Sequence, residues 1–105
     1  MAAADDTVYY TSETQVFALC NGEQKRVSGV TTDQVMEVIV ANDHSVYAGS
    51  NTGFVHKINS VDVTATAKLE GAKIIDLSAG SETVYALSHR KEVYELDAST
   101  LEVRR

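Results

Sequence analysis

The sequence has one cysteine, no long apolar run and few basic side chains, and each shortage excludes a class of protein. Cys20 alone cannot form an intrachain disulfide, which excludes a fold held together by bridges in an oxidising compartment. No stretch approaches the roughly eighteen apolar residues of a membrane-spanning helix. The first residues, MAAADD, lack the basic and apolar segments of a leader. We therefore expect a soluble protein of the cytoplasm or nucleus.

Basic residues are outnumbered by acidic ones. Nine Lys and Arg stand against fifteen Asp and Glu, which gives a formal net charge of −6. This sign disfavours contact with a phosphate backbone or an anionic lipid surface. Neither nucleic acid nor a membrane is an expected partner.

Signatures of catalysis and of cofactor binding are also missing. His44 and His89 fall in predicted turns on opposite faces, so together with His56 and Cys20 they do not suggest a shared metal site. Ser88 precedes a histidine but lacks the strand-to-helix elbow that exposes a nucleophilic serine. Neither GxGxxG nor a Walker phosphate loop is present. The sequence predicts no metal, no cofactor and no catalytic residue.

The chain does contain one short sequence segment in three similar copies. The copies are TVYYTSETQVFAL, SVYAGSNTGFVHKI and TVYALSHRKEVYEL, and their valines Val8, Val46 and Val84 stand 38 residues apart. A constant spacing of this size is typical of repeat architectures in which one supersecondary unit packs on the next. Apolar residues alternate along each copy, with much Val, Thr and Tyr, which favours strands.

Each repeat is predicted to hold four short antiparallel strands. The second copy predicts strands at 36–41, 45–49, 54–58 and 63–69, and the third at 73–78, 83–87, 92–96 and 101–104. The first copy starts directly at its second strand, so we expect its innermost strand to be absent and the chain to have eleven strands. Four antiparallel strands in about 38 residues describe a propeller blade.

The phrases VYALS, EVYELDAST and VYAGSNTGFVHKINSVDVTATAKLEG resemble the repeats of WD40, quinoprotein-like and YVTN-type β-propellers, over about residues 7–105. The chain has no Trp, so neither the Trp-Asp pair of WD40 blades nor the tryptophan-docking motif is there to identify the subfamily. The resemblance implies a rigid disc that binds other proteins through its loops and central mouth. The stretch DDTVYYTS is similar to part of a blade in actin-associated WD-repeat proteins, which leaves a fragment of such a protein as an alternative.

The expected fold is therefore all-β, a single partial β-propeller over residues 1–105 with about two and three-quarter blades. The blades are predicted at 7–34, 35–71 and 72–105. Such an array leaves blade faces and strand edges uncovered. Further blades of a longer propeller, copies of the same chain or another chain could cover them. A two-sheet sandwich is the alternative fold, although a sandwich does not need a constant repeat.

Two hypotheses of function follow from different classes. The first is a non-catalytic protein-binding module or scaffold, completed by self-assembly or by another chain. Its candidate partner-binding residues lie in the turns after the second strands: Glu13, Thr14, Asn51, Thr52, His89, Arg90 and Lys91. The second is a segment of a quinoprotein-like or lactonase-like enzyme with a site at the central channel, for which Asp76 and Glu37 are the charged residues of the predicted innermost strands.

Two recurring side chains and the single cysteine are assigned structural roles. Ser12, Ser50 and Ser88 are predicted to bond nearby backbone where a strand ends. The tyrosines at one equivalent position, Tyr9, Tyr47 and Tyr85, are predicted to pack between adjacent blades, each with a partner for its hydroxyl. Cys20 is expected to be a small buried or half-buried residue.

Overall fold

Strands account for all the regular structure in the computed structural model, which describes residues 1–30, 34–42, 44–70 and 73–104. The strands are β1 (Ala2–Ala4), β2 (Thr7–Ser12), β3 (Gln15–Cys20), β4 (Glu23–Arg26), β5 (Met36–Ala41), β6 (Val46–Ser50), β7 (Phe54–Asn59), β8 (Asp62–Lys68), β9 (Ile74–Ala79), β10 (Thr83–Ser88) and β11 (Val93–Asp97). The predicted all-β class is confirmed. Among the described residues no helix is present that could cross a membrane.

The strands form three antiparallel sheets, in each of which strands adjacent in the chain are adjacent in the sheet. The first sheet has the order β1-β2-β3-β4, the second β5-β6-β7-β8, and the third runs from β9 through β10 to β11. Short turns join neighbouring strands, as antiparallel pairing permits. The predicted blade boundary between 34 and 35 stays a prediction, and the one between 71 and 72 lies outside the described residues.

Two predicted features of the strands are wrong. The first copy does have an innermost strand, because Ala2–Ala4 pairs with β2, Ala3 opposite Val8. Residues 101–104 do not form a strand, and only an isolated bridge joins Leu96 to Val103. Leu101 has a φ of 60°, a left-handed conformation that a continuous strand cannot accommodate. The expected total of eleven strands is found only because these two errors offset each other.

The 38-residue repeat is preserved in the pairing register. The innermost strand of each sheet places an equivalent residue opposite the repeated tyrosine: Ala2 opposite Tyr9, Val40 opposite Tyr47, and Ser78 opposite Tyr85. Side chains alternate between the two faces of a strand, so a common register gives the three sheets equivalent faces.

The core lies in two layers between the sheets. Val16, Ala18 and Val46 belong to the cluster between the first and second sheets, whereas Val55 and Leu96 belong to the cluster between the second and third. The second sheet is thus covered on both faces. For this reason β6 is buried along its whole length, where a strand covered on one face alternates buried and exposed residues.

Gly49 in β6 lets the third sheet approach closely. A Cβ at this position would lie 2.7 Å from Ile74 Cγ2 and 3.4 Å from Leu77 Cδ1. The first distance is shorter than carbon atoms tolerate, so a side chain here would push β9 away. The equivalent position in the third sheet is occupied by Leu87.

Candidate functional site

The turns that follow β2, β6 and β10 lie along one edge of the three sheets, which we call the turn rim. It comprises the predicted partner-binding residues Glu13, Thr14, Asn51, Thr52, His89, Arg90 and Lys91. The segments that enter the second and third sheets run along the same edge. The backbone N–H of Met36 donates to the carbonyl of Glu13 (2.8 Å), which joins the first sheet to the start of the second.

Two of the predicted partner-binding residues, Asn51 and His89, also bond to the backbone of a neighbouring segment, and their role in partner binding stays a prediction. Asn51 Oδ1 accepts from the backbone N–H of Val35, and the Asn51 N–H donates to the Val35 carbonyl, both at 2.9 Å. One repeat later His89 Nδ1 accepts from the N–H of Lys73 at 3.0 Å, and its N–H donates to the Lys73 carbonyl at 2.9 Å. An amide and an imidazole thus make the same reciprocal clamp on the chain entering their sheet. We therefore place Asn51 and His89 in the frame of the rim.

Two of the repeated serines stabilise the rim turns through hydrogen bonds to the turn backbone. Ser50 Oγ accepts from the backbone N–H groups of Thr52 and Phe54, and Ser88 Oγ accepts from those of Arg90 and Glu92. Both serines are fully buried. The predicted backbone-bonding role is confirmed for these two copies.

The third serine, Ser12, is exposed and sits opposite Gln15 across a shorter turn. The shorter turn matches the deletion of one residue in the first copy. The described contacts do not show Ser12 in the role of Ser50 and Ser88, so for this copy the prediction stays open.

Side-chain chemistry along the rim changes from sheet to sheet. The turn of the first sheet carries the exposed carboxylate of Glu13, whereas that of the third carries the exposed cations Arg90 and Lys91. Lys73 Nζ lies 3.9 Å from Glu37 Oε1, a weak, partly exposed ion pair between the second and third sheets. The third-sheet end of the rim is therefore the basic end.

The opposite edge of the sheets has a cleft at each sheet junction. The cleft between the second and third sheets encloses about 480 Å³, and that between the first and second about 310 Å³. Asn42 Nδ2 donates to the Gly80 carbonyl (3.0 Å) and Lys57 Nζ donates to the Ser99 carbonyl (3.1 Å) across the larger one. Sequence reasoning missed both clefts, because a gap between sheets leaves no mark on residue spacing.

Cys20 lines the smaller cleft and is exposed, so the expectation that it is buried or half-buried is wrong. It alternates onto the same side of β3 as Val16 and Ala18, which are buried against the second sheet. Cys20, however, lies at the end of β3 where the cleft separates the first and second sheets, so its side chain is not covered.

The tyrosines link one sheet to the next. The hydroxyl of Tyr9 donates to the Ser60 carbonyl at 2.7 Å, and that of Tyr47 donates to the Ala98 carbonyl at 2.5 Å. Burial raises the pKa of both hydroxyls, which therefore remain protonated donors. The predicted packing between sheets is confirmed for these two residues. It is wrong for Tyr85, which is 46% exposed because no sheet of the described residues covers that face of the third sheet.

The histidines do not come together. His44 Nδ1 lies 3.3 Å from Asp5 Oδ1 at the surface, and His56 is buried with Nδ1 at 3.0 Å from Thr66 Oγ1. In the parts of the chain that the structure describes, no three His, Cys, Asp or Glu side chains are placed to hold a metal ion.

The two carboxylates considered for an enzymatic site make local contacts. Asp76 Oδ1 accepts from the N–H of its neighbour Leu77 at 2.9 Å, and Glu37 faces Lys73. Both residues are exposed. A general acid or base is usually tuned by burial in a cleft, and neither carboxylate is buried.

Comparison with solved structures identifies the architecture. The WD40 domain of Neurospora crassa Pan2 matches 99% of this chain with a TM-score of 0.68 and 12% sequence identity. No protein-family model matches the chain, and no curated protein matches its sequence. At such low identity the likeness concerns the fold alone. The fold is that of a partial WD40-type β-propeller, and the chain spans 38% of the length of the propeller domain that it resembles.

Proposed function

We propose that the chain is a non-catalytic protein-binding module of the cytoplasm or nucleus, whose turn rim contacts a partner and whose blades are completed by further blades. The observation that carries this proposal is a constant frame with variable turns. Ser50 and Ser88 hold two rim turns in the same way, while the residue at the equivalent place in the turn changes from Thr52 to Arg90. Loops on a rigid scaffold are where proteins commonly place binding residues.

The basic end of the rim indicates the charge of the partner segment that it would bind. Arg90 and Lys91 are exposed neighbours at the tip of the third turn, and Lys91 adopts a left-handed φ of 66°. On a chain of formal charge −6, a local basic site favours an acidic segment of a partner protein. The WD40-type fold supports the proposal by analogy, since fold does not fix function.

The test is affinity capture with the double variant R90E/K91E. Its matched control is K25E/R26E, which makes the same charge change on the exposed outer strand β4. We expect at least one protein to be captured by the wild type and the control and to be reduced about tenfold or more with R90E/K91E. Equal capture by all three chains, or no specific capture by the wild type, would contradict a binding role for the rim.

A further inference from the structure

Both sheet junctions in the chain are made by the same contacts. Tyr9 and Tyr47 each donate a hydroxyl hydrogen bond to a turn carbonyl in the following sheet, 51 residues later in both cases. Val16 and Val55, at equivalent places in β3 and β7, are fully buried against that following sheet. A junction therefore consists of a tyrosine and a valine on one sheet and a turn carbonyl on the next.

The third sheet presents the donor half of a junction, and no described residue of the chain packs over it. Tyr85 is 46% exposed, and Val93, the equivalent of Val16 and Val55, is 61% exposed. Together with Leu87 they border a shallow depression of about 200 Å³. We call this surface the third-sheet face. The innermost strand adds Asp76 and Ser78 to this face, opposite Leu87 and Tyr85, where the second sheet has Val38 and Val40.

The first sheet presents the acceptor half of a junction, also uncovered. Asn21 begins its turn between the third and fourth strands with a φ of 52°, as Ser60 begins the equivalent turn of the second sheet with a φ of 57°. Leu19 is 40% exposed, although its equivalents Ile58 and Leu96 are fully buried.

Leu19 lies on the face of the first sheet turned away from the second, which we call the first-sheet face. An aromatic pair lies on the same face. The rings of Tyr10 and Phe17 stack there with centroids 5.5 Å apart.

We propose that the third-sheet face binds the first-sheet face of a second copy of this chain, with the Tyr85 hydroxyl donating to the Asn21 carbonyl of that copy. The proposal rests on the proposed function, since it names what completes the blades. A second copy is the occupant because the donor and acceptor halves of the junction are both present and both uncovered on this chain. The contact is head to tail and uses two different surfaces, so it can continue around a ring. Two copies bring six sheets, within the four to eight blades typical of propellers.

The experiment measures self-association by sedimentation equilibrium over a range of chain concentrations. V93D places a charge on the third-sheet face and L19D places one on the first-sheet face. Both positions are exposed, so the isolated chains should keep their fold, which circular dichroism and melting verify. We expect the wild type to associate and each variant alone to remain monomeric, because every contact would then bury an added carboxylate in place of an apolar side chain.

Mixing the two variants is the decisive step. The intact third-sheet face of L19D can bind the intact first-sheet face of V93D, so the mixture should form a one-to-one dimer. Y85F, which removes only the hydroxyl, should weaken wild-type association about fivefold. A monomeric wild type at all concentrations, unaffected association of either variant alone, or a mixture that stays monomeric would each overturn the proposal.

Failure here is distinguishable from failure of the proposed function. The junction does not include the turn rim, so R90E/K91E should associate as the wild type does. If the wild type is monomeric while capture by the rim persists, the second copy is the wrong occupant and the binding role of the rim stands. If association follows this scheme while no captured protein depends on the rim, the second copy is the right occupant and the binding role of the rim is wrong.

Discussion

At the scale of single residues, the buried serine hydroxyls contribute more to the stability of the fold than their small size suggests. Each of Ser50 and Ser88 accepts from two backbone N–H groups that the turn would otherwise leave unpaired. A buried donor without a partner costs about 1–3 kcal/mol, which is more than the net worth of a typical hydrogen bond.

We expect S50A and S88A each to lower the free energy of unfolding by about 1–3 kcal/mol. Urea denaturation followed by circular dichroism measures the change. S12A is the matched control, since Ser12 is exposed, and should change the free energy by no more than about 0.5 kcal/mol. Equal losses in all three variants would show that the hydroxyl contacts are not the cause.

His56 is the buried histidine of the second sheet. Its Nε2 lies 3.2 Å from Gln34 Oε1, which can only accept, so Nε2 carries the hydrogen and Nδ1 accepts from Thr66 Oγ1. A second proton would fall on Nδ1 and break the bond with Thr66 unless that hydroxyl turned. Burial lowers the pKa of His56 below its usual 6.5.

The stability of the protein should therefore fall with acidification below about pH 6.5. Below that pH the unfolded chain binds the proton on His56 more readily than the folded chain, so the free energy of unfolding decreases until the folded-state pKa is passed. Urea denaturation between pH 5 and 7 measures the slope. H56Q should lose this component, and H44Q, at an exposed histidine, should keep it. An identical slope in H56Q would assign it to other groups.

The repeat spacing, together with the usual chemistry of turn serines and packed tyrosines, was sufficient to predict the roles of Ser50, Ser88, Tyr9 and Tyr47, but it gave the wrong role for Tyr85. It could not predict the clamp made by Asn51 and His89, because an amide and an imidazole share no pattern in the sequence although both offer an acceptor at the required place.

At the scale of strands and sheets, the distance between the second and third sheets is set by Gly49. A methyl group there would meet Ile74 at 2.7 Å, and both partners lie in packed strands that cannot easily move apart.

G49A should destabilise the protein by about 1–3 kcal/mol, the usual cost of overpacking a core. The comparison variant is G80A, where a new Cβ would meet the Thr83 carbonyl at 3.4 Å, an ordinary contact. Thermal or urea unfolding of the two variants measures the difference. A change in G49A no larger than that in G80A would contradict the close approach of β9.

Strands with a clear alternation of apolar residues could be predicted, and strands without it could not. The four strands of the second sheet were predicted to within one residue at each end. β1 was missed because Ala2–Ala4 has no alternation and alanine has no strand preference. The false strand at 101–104 alternates correctly, but the left-handed backbone of Leu101 interrupts it.

At the scale of the whole molecule, the second sheet is the protected element. It is covered on both faces, whereas the first and third sheets are each covered on one. In arrays where units contact only their neighbours, stability is approximately a sum of unit and junction contributions, so an inner unit opens last.

Amide hydrogen exchange should accordingly be slowest in β6 and β7 and faster in β1, β4 and β11. Mass spectrometry of peptides after exchange in deuterated solvent gives the order, and V93D provides a sample in which copies should not associate. Uniform protection across the three sheets in that variant would mean that the chain opens as one unit.

The second sheet also has a consequence for how the number of blades can increase in evolution. It carries Tyr47, which donates forward to the third sheet, and the turn at Ser60, which accepts from the first. Because this sheet has both halves of the junction, two copies of it in a row would form the same junction with each other. Tandem duplication of the 38 codons for residues 35–72 would insert a blade that already fits on both sides, so an ancestral gene could lengthen by whole blades without evolving a new interface.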